Sequence, residues 1–291
     1  MRTPSPDSSR PLLAASAVLL ALAAQNIGAA FAKQLFPLVG AEGVTALRVG
    51  ISAAILLALW RPWRRLPSRQ DARNLLIYGL GMGCMNLFIY HAFARIPIGI
   101  AVAIEVSGPL SVVLFASRRP RDFAWLACMV MGLTLLLPIT RHASALDPVG
   151  VLWAIGAAVC WALYIVFGKR VSHIESGHAV AWGMTAAALF AVPLGVSHAG
   201  SALLSPVILL TGLTVAVLSS TLPYSFEMMA LRRLPRRVFG ILVSAAPAIA
   251  ALAGWLILDE RLGLQQWLAI ALVMFASAGS AATTDRSAAA A

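Results

Sequence analysis

Glu105 is the only charged residue between Ile98 and Leu110, in a run otherwise built of apolar and small side chains. A carboxylate carried into hydrocarbon costs roughly 2.5–3.5 kcal/mol on insertion scales, so such a group faces a bundle interior or a water-filled path. Helical spacing places Ala101, Glu105, Gly108 and Pro109 on one face, which gives a small-residue surface around a single acid. Glu105 lies eight residues past Pro97, roughly 12 Å at 1.5 Å per residue. That is near the middle of a core about 30 Å thick. Two kinds of chemistry suit a carboxylate there: holding an ammonium group, and taking up and releasing a transported proton. The structural alternative is a carboxylate tied to an arginine or to backbone.

Other polar residues share apolar segments with helical spacing. Arg48 lies with Thr45 on one face, roughly 7–8 Å from the outer boundary by helical rise. It can pair with Glu105, grip a carboxylate in a bidentate fork, or snorkel to the interface. Asn86 and Tyr90 continue a stripe begun by Gly79 and Gly83, a GxxxG spacing that allows close helix approach. His91 falls near the outer end of that segment. Trp161 and Tyr164 share a face with Ala157 and Gly168 and read either as cavity lining or as interfacial anchors. Ser220, Tyr224 and Glu227 form a further stripe, in which Glu227 lies close enough to Arg232 and Arg233 for a boundary ion pair. The candidate binding set is therefore Glu105, Arg48, Asn86, Tyr90, Trp161, Tyr164 and Tyr224, with Glu105 also the candidate for proton coupling.

The elements that must position these groups are membrane helices. The 291 residues are 60% hydrophobic and 11% charged, with mean hydropathy +0.86, against about 25% charged in soluble domains. Ten apolar spans are expected, at 12–33, 43–60, 74–95, 97–117, 122–140, 148–168, 177–197, 205–231, 236–258 and 264–283, each near the ~20 residues needed to cross. The polar start at 1–11 and the tail at 285–291 are expected to be disordered. The apolar run at the start is read as a first membrane helix rather than a cleaved leader. The net charge of +11 does not point to nucleic acid, because the positive residues sit in short breaks between spans. Seventeen Lys and Arg fall on one side and four on the other, with Arg48 inside a span. That asymmetry puts both termini in the cytoplasm and favours an even number of crossings. Cys84, Cys128 and Cys160 are an odd set inside apolar segments and read as small core residues, with no disulfide framework or metal site.

The two halves repeat. Pro97 and Pro235, Pro109 and Pro247, Ala92 and Ala230, and Arg95 and Arg233 are each 138 residues apart. Phe31-Ala32-Lys33 parallels Phe167-Gly168-Lys169 at a shift of 136. A duplicated five-helix unit, 12–145 and 146–284, accounts for this register. Five is odd, so the second unit crosses in the opposite sense, an arrangement that places a binding site near the midplane at the repeat interface. Pro109 and Pro247 are read as paired kinks or hinges of that site.

These residues bring a resemblance into view. KQLFPLVGA (33–41), GVTALR (43–48), PIGIAVAIE (97–105), GPL (108–110), FASRRP (115–120), LPYSFEM (222–228) and RLP (233–235) resemble the EamA-type drug/metabolite transporter superfamily, and within it the bacterial threonine/homoserine exporters, over nearly the whole chain. The resemblance implies an all-α membrane protein of ten helices in two inverted repeats, in the bacterial inner membrane. It also implies proton-driven export of small neutral amino acids. The implied partners are an amino-acid substrate, protons and the lipid bilayer, with no cofactor, metal or nucleic acid. Another amino acid, a small metabolite or a drug stays open as cargo, and so does passive facilitation. The chain has no HExxH, no GxSxG and no cluster of His or Asp, which argues against an enzyme. One buried acid and one buried arginine suit a binding site better than a continuous polar pore. Nothing in the sequence assigns an oligomeric state.

Overall fold

Apolar runs without water to satisfy their amides must close their hydrogen bonds internally, and the chain does so as helices. The computed structural model describes residues 9–116, 120–136, 146–223, 226, 230 and 234–288. Every regular element among them is helical. Six helices are long and apolar enough to cross a bilayer, and three shorter apolar helices accompany them. Among the described residues the ten expected runs appear by that measure as six long helices and three shorter ones. The runs expected at 12–33 and 43–60 form one helix, α1 (Ser9–Trp60), bent at Gly40. The run expected at 97–117 is split into α3 (Ile98–Glu105) and α4 (Ser107–Ala116). Helix α1 begins at Ser9 and the last helix runs to Ala288, so helix extends into both ends expected to be disordered.

The bend in α1 follows from two residues. Pro37 removes an amide donor, and Gly40 adopts φ 70°, ψ 171°, a region open to glycine at little cost. The arms fold back on each other. Asn26 and Arg48 line one small cavity, whereas in a straight helix they would stand about 33 Å apart. Helix α2 (Arg69–Phe93) starts at Ser68, whose Oγ accepts from the Asp71 amide at 3.1 Å. It packs on α6 (Pro148–Arg170) and α7 (Ser176–Ala199). The glycine spacing in α2 is used for that packing: a Cβ on Gly79 would collide with the Gly183 carbonyl and Ala186 of α7. Helix α5 (Pro120–Leu136) lies against the last helix.

The repeated register reappears in the helices around the cavity. Helix α3 follows Pro97 (φ −57°, ψ 140°) and ends at Val106. Helix α9 (Arg236–Val243) follows Pro235 (φ −55°, ψ 140°) and ends at Ser244. Both have eight residues, and their ends are 138 positions apart. Each is continued by a second piece, α4 and α10 (Ala246–Leu258). Pro109 and Pro247 thus sit three residues past Val106 and Ser244, where helical pairing is interrupted while the backbone keeps right-handed helical angles.

Between α7 and α9 the chain forms α8 (Pro206–Ala216), which runs into a π turn, Val217–Thr221. The last helix is α11 (Leu264–Ala288). The interior is rich in alanine, with Ala30, Ala32, Ala101, Ala103, Ala154 and Ala157 fully buried, which lets helices approach closely. Large apolar side chains point outward instead, Leu152, Leu189, Leu256 and Phe275 among them. An apolar exterior of this extent is the surface that lipid covers.

The two ends of the bundle differ. At the end where α2 gives way to α3, Lys33 Nζ donates to Glu260 Oε1 at 2.8 Å and to the Ile96 carbonyl at 3.1 Å. Glu260 Oε2 accepts from the Ile98 amide at 2.9 Å. Arg95 pairs with Asp147 at 2.9 Å and His91 with Glu42 at 3.3 Å. The Arg95 hydrogen bond, helped by the Val149 amide, holds the Asp147 carboxyl below the ordinary carboxylate range. The opposite end carries Arg69, Arg73, Lys169 and Arg170, and an Asp71–His173 contact at 3.1 Å.

Candidate functional site

A cavity of about 190 Å³ opens where α3 and α9 end. Glu105, the last residue of α3, lines it, and so does Val243, the last residue of α9. The prolines contribute directly. In a regular helix the carbonyl of residue i accepts from the amide of i+4. Pro109 and Pro247 have no amide hydrogen, so the Glu105 and Val243 carbonyls lack that donor. The helices end there, and the two chain breaks face one space.

Arg48 is fixed on the wall of this cavity. It is 7% exposed, so it does not snorkel to the interface. Its Nη1 donates to the Tyr90 hydroxyl at 3.1 Å, Nη2 to the Ser219 carbonyl at 3.0 Å, and Nε to Ser220 Oγ at 3.2 Å. Its guanidinium lies 5.3 Å from the Tyr90 ring centroid. The Ser219 carbonyl is available for a reason written in the sequence. Its i+4 residue is Pro223, which has no amide hydrogen, and the backbone there is wound as the π turn, with the Leu222 amide bonded to the Val217 carbonyl. These three bonds leave two of the five guanidinium N–H groups.

Glu105 is buried, and among the described residues no hydrogen bond or ion pair reaches its carboxylate. The sequence alternative in which Arg48 neutralises Glu105 by direct contact is therefore not realised. A held cation and a buried carboxylate share one cavity, the division of charge that a zwitterion presents in reverse.

The remaining candidates separate. Asn86, Trp161 and Tyr164 are on the cavity wall. Tyr164 is braced by Tyr78, whose hydroxyl donates to it at 3.0 Å with the rings stacked. Tyr90 is not on the wall. It is fully buried behind Arg48 and tilted against Phe36, so its part is to hold the arginine. Tyr224 and Glu227 lie outside the described residues. His91 stacks on Trp153 near the end of α2. The three cysteines are free thiols and half-buried, with Cys128 packed against a small cluster around Leu110 and Met129.

Three polar wall residues escaped the sequence reading, Gln25, Asn26 and Ser219. Asn26 is an amide buried in mid-span like Asn86, and weighing it by the same rule would have found it. Ser219 was signalled by its spacing to Pro223.

Residues 148–281 match the EamA-like transporter family. Over 284 residues, 97% of this chain and 96% of the relative, the sequence is 46% identical to the threonine/homoserine exporter RhtA of Salmonella typhimurium strain LT2. The chain belongs to the EamA-like transporter family. The RhtA exporter of Escherichia coli K12 is also 46% identical, over 92% of this chain and 91% of its own. An uncharacterized transporter of Bacillus subtilis 168, YwfM, is 28% identical over 80% and 81%. One crystal structure at 21% identity superposes with a TM-score of 0.62 over 98% of this chain and all of that one, which shows a shared fold. The EamA-like match and the six long apolar helices make this a multi-pass membrane transporter, and its relatives are transporters rather than enzymes.

Proposed function

We propose that the chain exports small neutral amino acids, threonine and homoserine among them, across the bacterial inner membrane, in exchange for protons and by alternating access. The observation that carries this reading is the cavity with Arg48 fixed on its wall and the Glu105 carboxylate free to take a partner. A zwitterion fits that pair, with its ammonium toward Glu105 and its carboxylate toward the remaining guanidinium hydrogens. The relatives' names support the substrate class. Size supports it too: a cavity of roughly 150 Å³ holds benzene, drug-sized ligands occupy about 300–1,000 Å³, and this one is about 190 Å³. A small metabolite is favoured over a drug.

The architecture we infer is ten crossings in two inverted five-helix units, with both termini in the cytoplasm. Two eight-residue helices with matching entry angles, 138 positions apart, support the repeat. The two arms of α1 support its counting as two crossings. The basic residues support the orientation. On this orientation the Lys33–Glu260 end faces outward and is closed above the cavity, where Ile98 and Ile100 are fully buried. Closure at that end and access from the other is one half of an alternating cycle.

Threonine and homoserine flux in proteoliposomes under an imposed proton gradient tests the reading. Glu105→Gln is expected to cut gradient-driven flux roughly tenfold or more, the scale of one hydrogen bond to a charged group. Undiminished flux in that variant removes Glu105 from both substrate binding and coupling. Saturable counterflow separates a carrier from a passive facilitator.

A further inference from the structure

We propose that Asn26, Asn86 and Glu105 form a three-acceptor cradle for the substrate's primary ammonium. The proposal rests on the export reading above and names the groups that make it selective. Asn26 donates its side-chain amide to the Leu22 carbonyl at 2.8 Å, and Asn86 donates to the Met82 carbonyl at 2.8 Å. Only the NH₂ group of an asparagine can donate to a carbonyl, so these bonds fix which way each amide points. Among the described residues neither Oδ1 accepts a hydrogen bond. The two residues are only 5% and 3% exposed and both line the cavity. Neither oxygen is among the sealed polar atoms without a partner, so what access each has is to the cavity itself.

The three oxygens come from separate elements. Asn26 is on the first arm of α1, Asn86 is on α2, and Glu105 ends α3. A protonated primary amine has three N–H donors and no acceptor. Two amide oxygens and one carboxylate match it in number and supply one negative charge. An uncharged hydroxyl would use one of these oxygens and leave the others unpaired, at a cost. Arg48 serves the other end of the same molecule, with its orientation already fixed by Tyr90, Ser219 and Ser220.

The test is counterflow in proteoliposomes with threonine, N-methylthreonine and N,N-dimethylthreonine, which carry three, two and one ammonium donors. In the wild-type chain each methyl is expected to lower kcat/KM about tenfold, mostly through KM. Asn26→Leu and Asn86→Leu each remove one acceptor while keeping a side chain of similar branching. Each should reduce threonine to about the level of its N-methyl analogue, so that the ratio between the two falls close to one. Asn26→Asp and Asn86→Asp keep an oxygen and should restore discrimination. The cradle is overturned if wild type carries the dimethyl analogue as well as threonine, whatever the variants do. It is overturned too if the Leu variants slow threonine and N-methylthreonine by the same factor. A wild-type chain with no threonine counterflow sinks the export reading itself, and the cradle with it.

Discussion

At the residue scale the site separates a fixed charge from a free one. Arg48 spends three donors on Tyr90, Ser219 and Ser220, while no hydrogen bond among the described residues reaches the buried Glu105 carboxylate. Arg48→Lys retains the charge and loses the fork, because an ammonium cannot reach three acceptors arranged around a guanidinium. We expect a loss of about 3 kcal/mol, given roughly 1.5–3 kcal/mol for each bond to a charged group, read as a lower unfolding temperature in detergent. Asp147 makes a second prediction. Its carboxyl is held below the ordinary range, first by Arg95 and then by the Val149 amide. A group with a depressed folded pKa stabilises above its unfolded value and loses that contribution as pH falls through the folded one. Acidification below the usual carboxylate range should therefore lower the wild-type unfolding temperature more than that of Asp147→Asn. Glu105 was legible in the sequence because a lone acid in an apolar run has few structural uses. Tyr90 was half legible: its stripe could be read from spacing, but helical phase alone could not say that its hydroxyl serves Arg48 rather than the cavity.

At the element scale, missing amide hydrogens shape the site more than side chains do. Pro109 and Pro247 end α3 and α9 at the cavity, and Pro223 releases the carbonyl that holds Arg48. Pro223→Ala restores a donor four residues after Ser219. We expect the π turn to relax toward α-helix, the Ser219 carbonyl to be reclaimed and Arg48 to loosen. Threonine KM should then rise while far-ultraviolet circular dichroism stays unchanged, and an unaltered KM would show that the carbonyl does not position the arginine. The paired prolines and their register were visible in the chain, since identical spacing survives in residue identities. The place of the interruptions was not, because a proline marks the missing amide and not the residue at which helical pairing lapses. The two arms of α1 were expected as separate helices with a nine-residue link. Hydropathy marks where polarity rises, and it is blind to a reversal made at a single glycine.

At the scale of the whole molecule, one end is tied and the other is not tied in the same way. Lys33, Glu260 and the backbone of Ile96 and Ile98 join α1, the start of α3 and the link between α10 and α11. This is the contact that must part if the cavity is to open at that end. Glu260→Gln weakens it by removing a charge from a partly buried pair. In a cysteine-free background carrying Val102→Cys on the cavity wall, we expect an impermeant thiol reagent added outside to react roughly fivefold faster or more when Glu260→Gln is present, the scale of a modest coupling energy. Equal rates would assign the tie to stability alone. The same tie constrains biogenesis. Its anion follows Lys33 by 227 residues, so Lys33 and the Ile98 amide are made well before the carboxylate that joins them. The seal over the acid therefore cannot form before Glu260 is made, and quality-control proteases that meet a chain stalled short of that residue meet it unsealed.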